Sequence, residues 1–334
     1  MTGTLIKCAS GVYKGSPFRL TYVMPGVIGG YGRPRHLQLI LTVDEVLSSP
    51  FLSILLKGED LKPRSLSWKV SVNSVNVTRE FKPQVIVNLE GLTYASQVFD
   101  VSQIAREPGK YLVRLSTESS RIVEILSVSL VGVSPSVDAE VALRHYSGVL
   151  ILSRGESYSL EHPEEGLELG VEGVIEMPSR GTEFIIKCGN EHVLTQLVGV
   201  NEVSLRGFTA SPEGHCTLVH RGGDVTKPVV VSDLILYRPL TSGPQIHVEA
   251  SLINAKEIQL TVRNEGGASL RRGLVVILRE GRIVARSELN DLCPGDVKML
   301  KLLSSEDLRG REVYVRVVYH DVWGQNVKTF KLRT

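Results

Sequence analysis

The amino-acid sequence predicts an all-β chain built as three consecutive β-sandwiches. Three observations carry the prediction: apolar and polar residues alternate with period two over many short runs, turn residues punctuate those runs, and helical periodicity is scarce. A chain of 334 residues divides into two or three domains, each long enough to bury its own core. Two segments mark the divisions. "VSPSVDAE" (133–140) breaks the alternation after a long strand, and "YRPLTSGPQ" (237–245) gathers Pro, Gly and Ser. The expected domains are 1–134, 138–238 and 245–334, each with about seven to nine strand candidates, as a sandwich requires.

In the first domain, "MPGVIGGYGRPRHLQL" (24–39) carries Gly26, Gly29, Gly30 and Gly32. It lacks a G-K-[ST] ending and leads into a strand, so it reads as a long loop rather than a phosphate cradle. Tyr31, Arg33 and Arg35 at its tip form a candidate partner contact, because Tyr and Arg are enriched at binding hot spots; a plain surface loop is the alternative. "VDEVLSSPFLSILL" (43–56) reads as a short helix limited by Pro50. "SLSWKVSVNSVNV" puts Leu66, Trp68, Val70 and Val72 on one strand face, with Trp68 as a core residue, and Ser65, Ser67, Lys69 and Ser71 on the other. "DVSQIARE" (100–107) reads as one helical turn capped by Asp100 or Ser102. Further turns are expected at Pro108-Gly109, Gly189-Asn190, Glu280-Gly281 and Pro294-Gly295.

The run "WKVSVNSVNV", "SQVFDVSQIAREPGKYLVRLS", "ILSVSLVGV" resembles the jelly-roll, galactose-binding-like sandwich that precedes the barrel in some glycoside hydrolases. Phe99, Asp100, Val101, Ser102, Ile104 and Gly109 match its pattern. Lys110-Tyr111 replace the usual Asn, and no Gly follows Asn73, so the resemblance carries no residue-level case for sugar binding. "GVNEVSLRGF…CTLVHRGG…KPVVVSDLILYRP" has a similar rhythm and is expected to form a second jelly-roll-like sandwich. In the third domain, "LTVRNEGGASL", "VILREGRIV", "LNDLCPGDVKMLKL" and "VRVVYHDVWGQ" resemble the immunoglobulin-like, cell-adhesion-related domain of bacterial and archaeal surface proteins. Its matching residues are structural. Asn264 bonds its own turn, Gly266 and Gly267 permit positive φ, Pro294-Gly295 fits a type II turn, and Asp321 and Gly324 fit a hairpin with Trp323 at its tip. Trp323 is a further candidate partner contact.

Four cysteines, Cys8, Cys188, Cys216 and Cys293, are widely spaced, with no CxxC. Cys188-x3-His192 and Cys216-x3-His220 mimic zinc-ligand spacing, but residues four apart on a strand lie about 13 Å apart. A Cys188–Cys216 disulfide fits two cysteines of one sandwich, and two reduced cysteines near a core is the reading preferred here. Across the Gly189-Asn190 turn, Cys188 is expected opposite Glu191 and Lys187 opposite His192. "HPEEGLELGVEGVIE", with Glu161, Glu164, Glu165, Glu168 and Glu172 nearby, reads as a solvated loop before an edge strand; the alternative is a carboxylate pair for glycoside hydrolysis. His320 and Asp321, adjacent on a strand, point to opposite faces and form no triad.

Lys and Arg number 38 and Asp and Glu 36, a formal net charge of +2. That balance argues against nucleic acid or a membrane surface as partner. Interspersed Arg and Glu read as a thermophile composition. No apolar run is long enough to cross a bilayer and no secretory signal is visible, which leaves a cytoplasmic or a trimmed cell-surface chain. The expectation is a binding or structural protein, not an enzyme, with no catalytic residue, metal or cofactor. It would meet a protein partner or a second copy through loops, edges or sheet faces, in a cell-surface or filament assembly. The alternatives are a carbohydrate-binding accessory module of a glycan-processing system and an intracellular adaptor subunit.

Overall fold

The computed structural model describes the chain except residues 63–65, 223–226, 271, 310–311, 322–323 and 333–334. The described residues are all-β, with 66% in strands and no helix. Ten strands come first: β1 (Thr2–Lys14), β2 (Ser16–Gly29), β3 (His36–Val43), β4 (Ser48–Glu59), β5 (Trp68–Val72), β6 (Val75–Thr78), β7 (Val85–Leu89), β8 (Leu92–Asp100), β9 (Gly109–Thr117) and β10 (Ile122–Ser134). Eight follow: β11 (Glu140–Leu152), β12 (Ser157–Glu161), β13 (Leu169–Met177), β14 (Glu183–Lys187), β15 (Glu191–Leu194), β16 (Gly199–Phe208), β17 (His215–Gly222) and β18 (Val229–Pro239). The last seven are β19 (Ile246–Leu252), β20 (Glu257–Asn264), β21 (Arg272–Arg279), β22 (Arg282–Glu288), β23 (Val297–Leu303), β24 (Val313–Asp321) and β25 (Gly324–Leu332).

Two compact units result. The larger comprises Met1–Tyr13, Pro17–Pro135 and Val141–Pro239. It holds four sheets, ordered β3-β9-β5-β6, β2-β10-β4-β8-β7, β1-β11-β18-β13-β16 and β12-β17-β14-β15. Three apolar layers separate them. Trp68, Val70, Val113 and Leu115 meet Leu52, Ile54 and Ile125 between the first two sheets. Leu55, Tyr94 and Leu126 meet Val149, Val174 and Val230 between the middle two. Leu150, Val171 and Leu234 meet Phe184, Ile186 and Leu218 between the last two. The two middle sheets are therefore buried on both faces, and each outer sheet keeps one face open.

This layering explains where the helical reading of 43–56 fails. The segment is the end of β3 and most of β4. Leu52, Ile54 and Leu56 enter one core while Leu55 enters the next, so alternation is lost and a doubly buried strand reads as a continuous apolar run. The segment 100–107 does form one turn. The N–H groups of Ile104 and Ala105 reach Val101 O, and Asp100 Oδ1 accepts from Ser102 N–H at 2.9 Å. Trp68 is core, as expected.

The smaller unit comprises Lys14–Ser16, Ser136–Glu140 and Leu240–Thr334. Sheets β19-β20-β23 and β22-β21-β24-β25 enclose one core that includes Ile258, Leu260, Val275, Ile277, Val315 and Val317. Asn264 is fully buried with all four amide bonds made. Its Oδ1 accepts from Gln245 and Gly266 N–H (3.2 and 3.0 Å), and its Nδ2 donates to Ala268 and Leu292 O (2.9 and 3.0 Å). Gly295 sits at φ 83° after Pro294, and Asp296 N–H closes onto Cys293 O, as a type II turn requires. Gly266 and Gly267 do not have the positive φ expected of them. Gly266 is required instead by close approach, since a Cβ there would lie 2.2 Å from Gly243 O. Asp321 and Gly324 pair at the mouth of the last hairpin.

Candidate functional site

The open face of β3-β9-β5-β6 is built by alternation. Leu41, Val70, Val113 and Leu115 point into the core, so their neighbours in sequence point out. Pairing aligns those neighbours in rows. His36 and Lys69 flank Ser116, Gln38 and Ser71 flank Arg114, Ile40 lies beside Leu112, and Thr42 beside Lys110. The β5–β6 turn, Asn73-Ser74, has φ 47° and 68°, and Asn73 Oδ1 accepts from Leu112 N–H at 2.7 Å, tying the hairpin to the central strand. A depression of about 410 Å³ results, lined by Arg35, His36, Gln38, Lys69, Ser71, Ser74, Leu112, Arg114, Ser116 and Glu118. Its lining is hydroxyl, amide, guanidinium, ammonium and imidazole, with one apolar side chain, Leu112, a single carboxylate and no Phe, Tyr or Trp.

The opposite outer sheet, β12-β17-β14-β15, carries a wider depression of about 800 Å³, with Ser157, Ser159, Thr217, Lys187 and His215 among its lining. The ring of the neighbouring Cys188–Cys216 disulfide closes there. Lys187 pairs with Thr217, so one residue on past β14 and one residue back along β17 brings Cys188 opposite Cys216, with Cα atoms 4.1 Å apart. The preferred reading of two reduced cysteines is thus corrected, and both sulfurs are removed from any metal site. The hairpin register is corrected too. Lys187 faces Glu191 and Ile186 faces His192, because Cys188 leaves the β14–β15 ladder and its N–H bonds Asn190 O. His192 packs on Phe208 at 4.2 Å, and His220 Nδ1 donates to Leu152 O at 2.9 Å.

Between the middle sheets the packing turns polar at one end. Arg19, nearly inaccessible, pairs with buried Asp233 at 3.1 Å and with Glu202 at 3.4 Å. Asp233 also takes His145 Nε2 at 2.6 Å. Burial pushes the Asp233 carboxyl up, but the charges of Arg19 and His145 more than offset this and hold it below the ordinary range. Burial, then the Glu172 charge, pushes the Tyr237 phenol up to about 12. Burial, then the Asp233 charge, pushes the Cys8 thiol up to about 11, so Cys8 is no ready nucleophile.

The other predicted residues are placed as follows. Arg35 lines the 410 Å³ depression and donates to Ser119 O, whereas Tyr31 and Arg33 stand exposed on the preceding loop outside the lining. Trp323 lies outside the described residues. The Glu-rich run does not precede an edge strand, since β13 lies between β18 and β16. Its loop is wrapped on Arg238, whose guanidinium donates to the carbonyls of Pro163, Glu164, Gly166 and Leu167. Glu161 is exposed and bonded to Lys7 and Arg144, while Glu172 turns inward, where burial raises its carboxyl against the opposing charges of Arg19 and Arg206. The open face itself escaped the sequence reading. Its signal was the outward set Lys69, Ser71, Lys110, Arg114 and Ser116, which alternation marks only as solvent-facing.

No protein-family model and no curated protein sequence matches the chain. Among solved structures it is similar to the glycoside hydrolase domain of Endo-D from Streptococcus pneumoniae R6, with 12% identity over 57% of this chain and 33% of that one and a TM-score of 0.21. It is similar to the β-D-glucuronidase of Dictyoglomus thermophilum, with 11% identity over 99% and 44% and a TM-score of 0.21. A β-glucuronidase from an uncultured Clostridium gives 12% identity over 58% and 35% and a TM-score of 0.23. The chain spans less than half the length of each. The expectation that the chain is not an enzyme is withdrawn, the solved structures found similar being named as a glycoside hydrolase domain and as β-glucuronidases. At these TM-scores the likeness carries no argument about the reaction or ligand of this chain.

Proposed function

We propose that the chain binds a glycan on the open face of β3-β9-β5-β6. The observation that supports this reading is the 410 Å³ depression, where hydrogen-bonding side chains from three strands converge on one rigid surface. A polyol is met by an array of donors and acceptors held on rigid elements, and strand pairing fixes the backbone that carries this array. Gln38, Ser71, Ser74 and Ser116 match sugar hydroxyls, and the half-exposed Leu112 offers an apolar contact for a ring face. Isothermal titration against a panel of neutral and acidic oligosaccharides tests it. Binding is expected for at least one member, and Ser116→Trp, which fills the centre of the depression, weakens it by about tenfold or more. No binding at millimolar ligand removes the reading, and unchanged binding by Ser116→Trp moves the site elsewhere.

Self-association is a second reading, favoured by the smaller unit. Edge strand β23 shows Val297, Met299 and Leu303 to solvent on one face, the last two more than 70% exposed. An open edge with an apolar row is a template for strand addition. A native mass measurement that finds a monomer, unaltered by Leu303→Lys, ends this reading.

A further inference from the structure

We infer that the β3-β9-β5 face selects an anionic saccharide, one bearing carboxylate or sulfate groups. The inference rests on the glycan reading above and narrows it. Charge carries it. Arg35, Lys69 and Arg114 are three fixed cations in the lining, joined by His36, against the one carboxylate of Glu118. Lys110 lies on the same face, four residues along β9 from Arg114. Over the whole sequence basic and acidic residues nearly cancel, 38 against 36, so this excess is local.

Register places the cations to act together. Lys69 is opposite Ser116 and Arg114 is opposite Ser71, which makes them diagonal neighbours about 7–8 Å apart along the sheet. Among the described residues, Arg35, Lys69, Lys110 and Arg114 form no ion pair. Cations held this close without counter-charge repel one another, and an anionic ligand relieves that repulsion while each contact adds to the others. Hydroxyl and amide groups of Gln38, Ser71, Ser74 and Ser116 lie between the charges, so sugar hydroxyls and acidic groups are met on one surface. The lining has no Phe, Tyr or Trp, the broad rings on which successive bases of single-stranded nucleic acid stack, and this favours a saccharide over that other polyanion.

The full chain is titrated with an oligogalacturonate and with its carboxyl-reduced, neutral counterpart. The acidic form is expected to bind about tenfold tighter at low salt, and the gap is expected to close at about 0.5 M salt, where exposed charges are screened. Because single exposed ion pairs are weak, the test uses two at once. Lys69→Gln with Arg114→Gln is expected to lose the acidic preference, the ratio of acidic to neutral affinity falling from about tenfold to about one, while Lys69→Arg with Arg114→Lys keeps the preference and shows that the face still folds. Equal affinity for both oligosaccharides overturns the anion selectivity and leaves the glycan reading standing. Binding of neither overturns the anionic selectivity as well, and the glycan reading then stands or falls with the oligosaccharide panel. A single-stranded oligonucleotide of equal charge that binds as tightly as the oligogalacturonate overturns the saccharide assignment.

Discussion

Asp233 holds two buried side chains, Arg19 and His145, in place. Without it Arg19 would keep only Glu202 as an ion-pair partner and His145 Nε2 would lose its partner, and breaking a buried pair costs about 3–5 kcal/mol. Asp233→Ala is expected to lose that much in urea unfolding, and a loss under 1 kcal/mol would show the seam to be well hydrated. The same carboxyl sets an acid limit. Its pKa is lower in the folded chain than in the unfolded one, so its contribution is complete above about pH 4 and disappears as pH falls through the folded value. Asp233→Asn should therefore flatten the stability–pH curve below about pH 4, and parallel curves for the two proteins would contradict the assignment. Residue-scale chemistry was the most legible part of the sequence where it was local. Asn264 bonds the Gly266 N–H two residues on and Pro294-Gly295 turns the chain on itself, as their types dictate, although Asn264 also reaches Gln245 and Leu292, which its type does not announce. Asp233 gave no such signal, since its partners stand 88 and 214 residues away.

The loop 162–168 is held by one side chain from another strand, beside backbone bonds from His162 and Leu167 N–H to Gly214 and Pro239 O. Four carbonyls converge on Arg238, and bonds to a charged donor are worth about 1.5–3 kcal/mol. Arg238→Ala is expected to cost about that much and to open the exposed Glu164, Glu165 and Glu168 to a glutamate-specific protease. Unchanged digestion would mean that the loop is held otherwise. Strands with one face toward water, such as β5 and β9, were legible, and β4, with neither face toward water, was not. The candidate face was not legible because it depends on the register of β3, β9 and β5, which are distant in sequence and meet only through pairing. Each strand announces its outward residues, but not its neighbours.

At the scale of the molecule, the Cys188–Cys216 bond ties β14 to β17 across a sequence separation of 28. Loop-closure entropy for a ring of that size is worth about 3–4 kcal/mol. Replacing both cysteines by serine is expected to lower stability by that amount, measured against the oxidised chain, and equal stabilities would contradict it. Neither cysteine shows from its own surroundings in the sequence that β17 lies beside β14. One consequence of the layering concerns time. Strand β1 is the edge partner of β11, and roughly 130 residues separate them. At about 5–20 residues per second a ribosome takes roughly 6–25 s to add that length. Through that interval β1 has emerged and its eventual neighbour has not been made, so its backbone stays open to any other strand nearby. Slowing synthesis would lengthen that exposure, and crowded synthesis of many copies would bring competing strands to it.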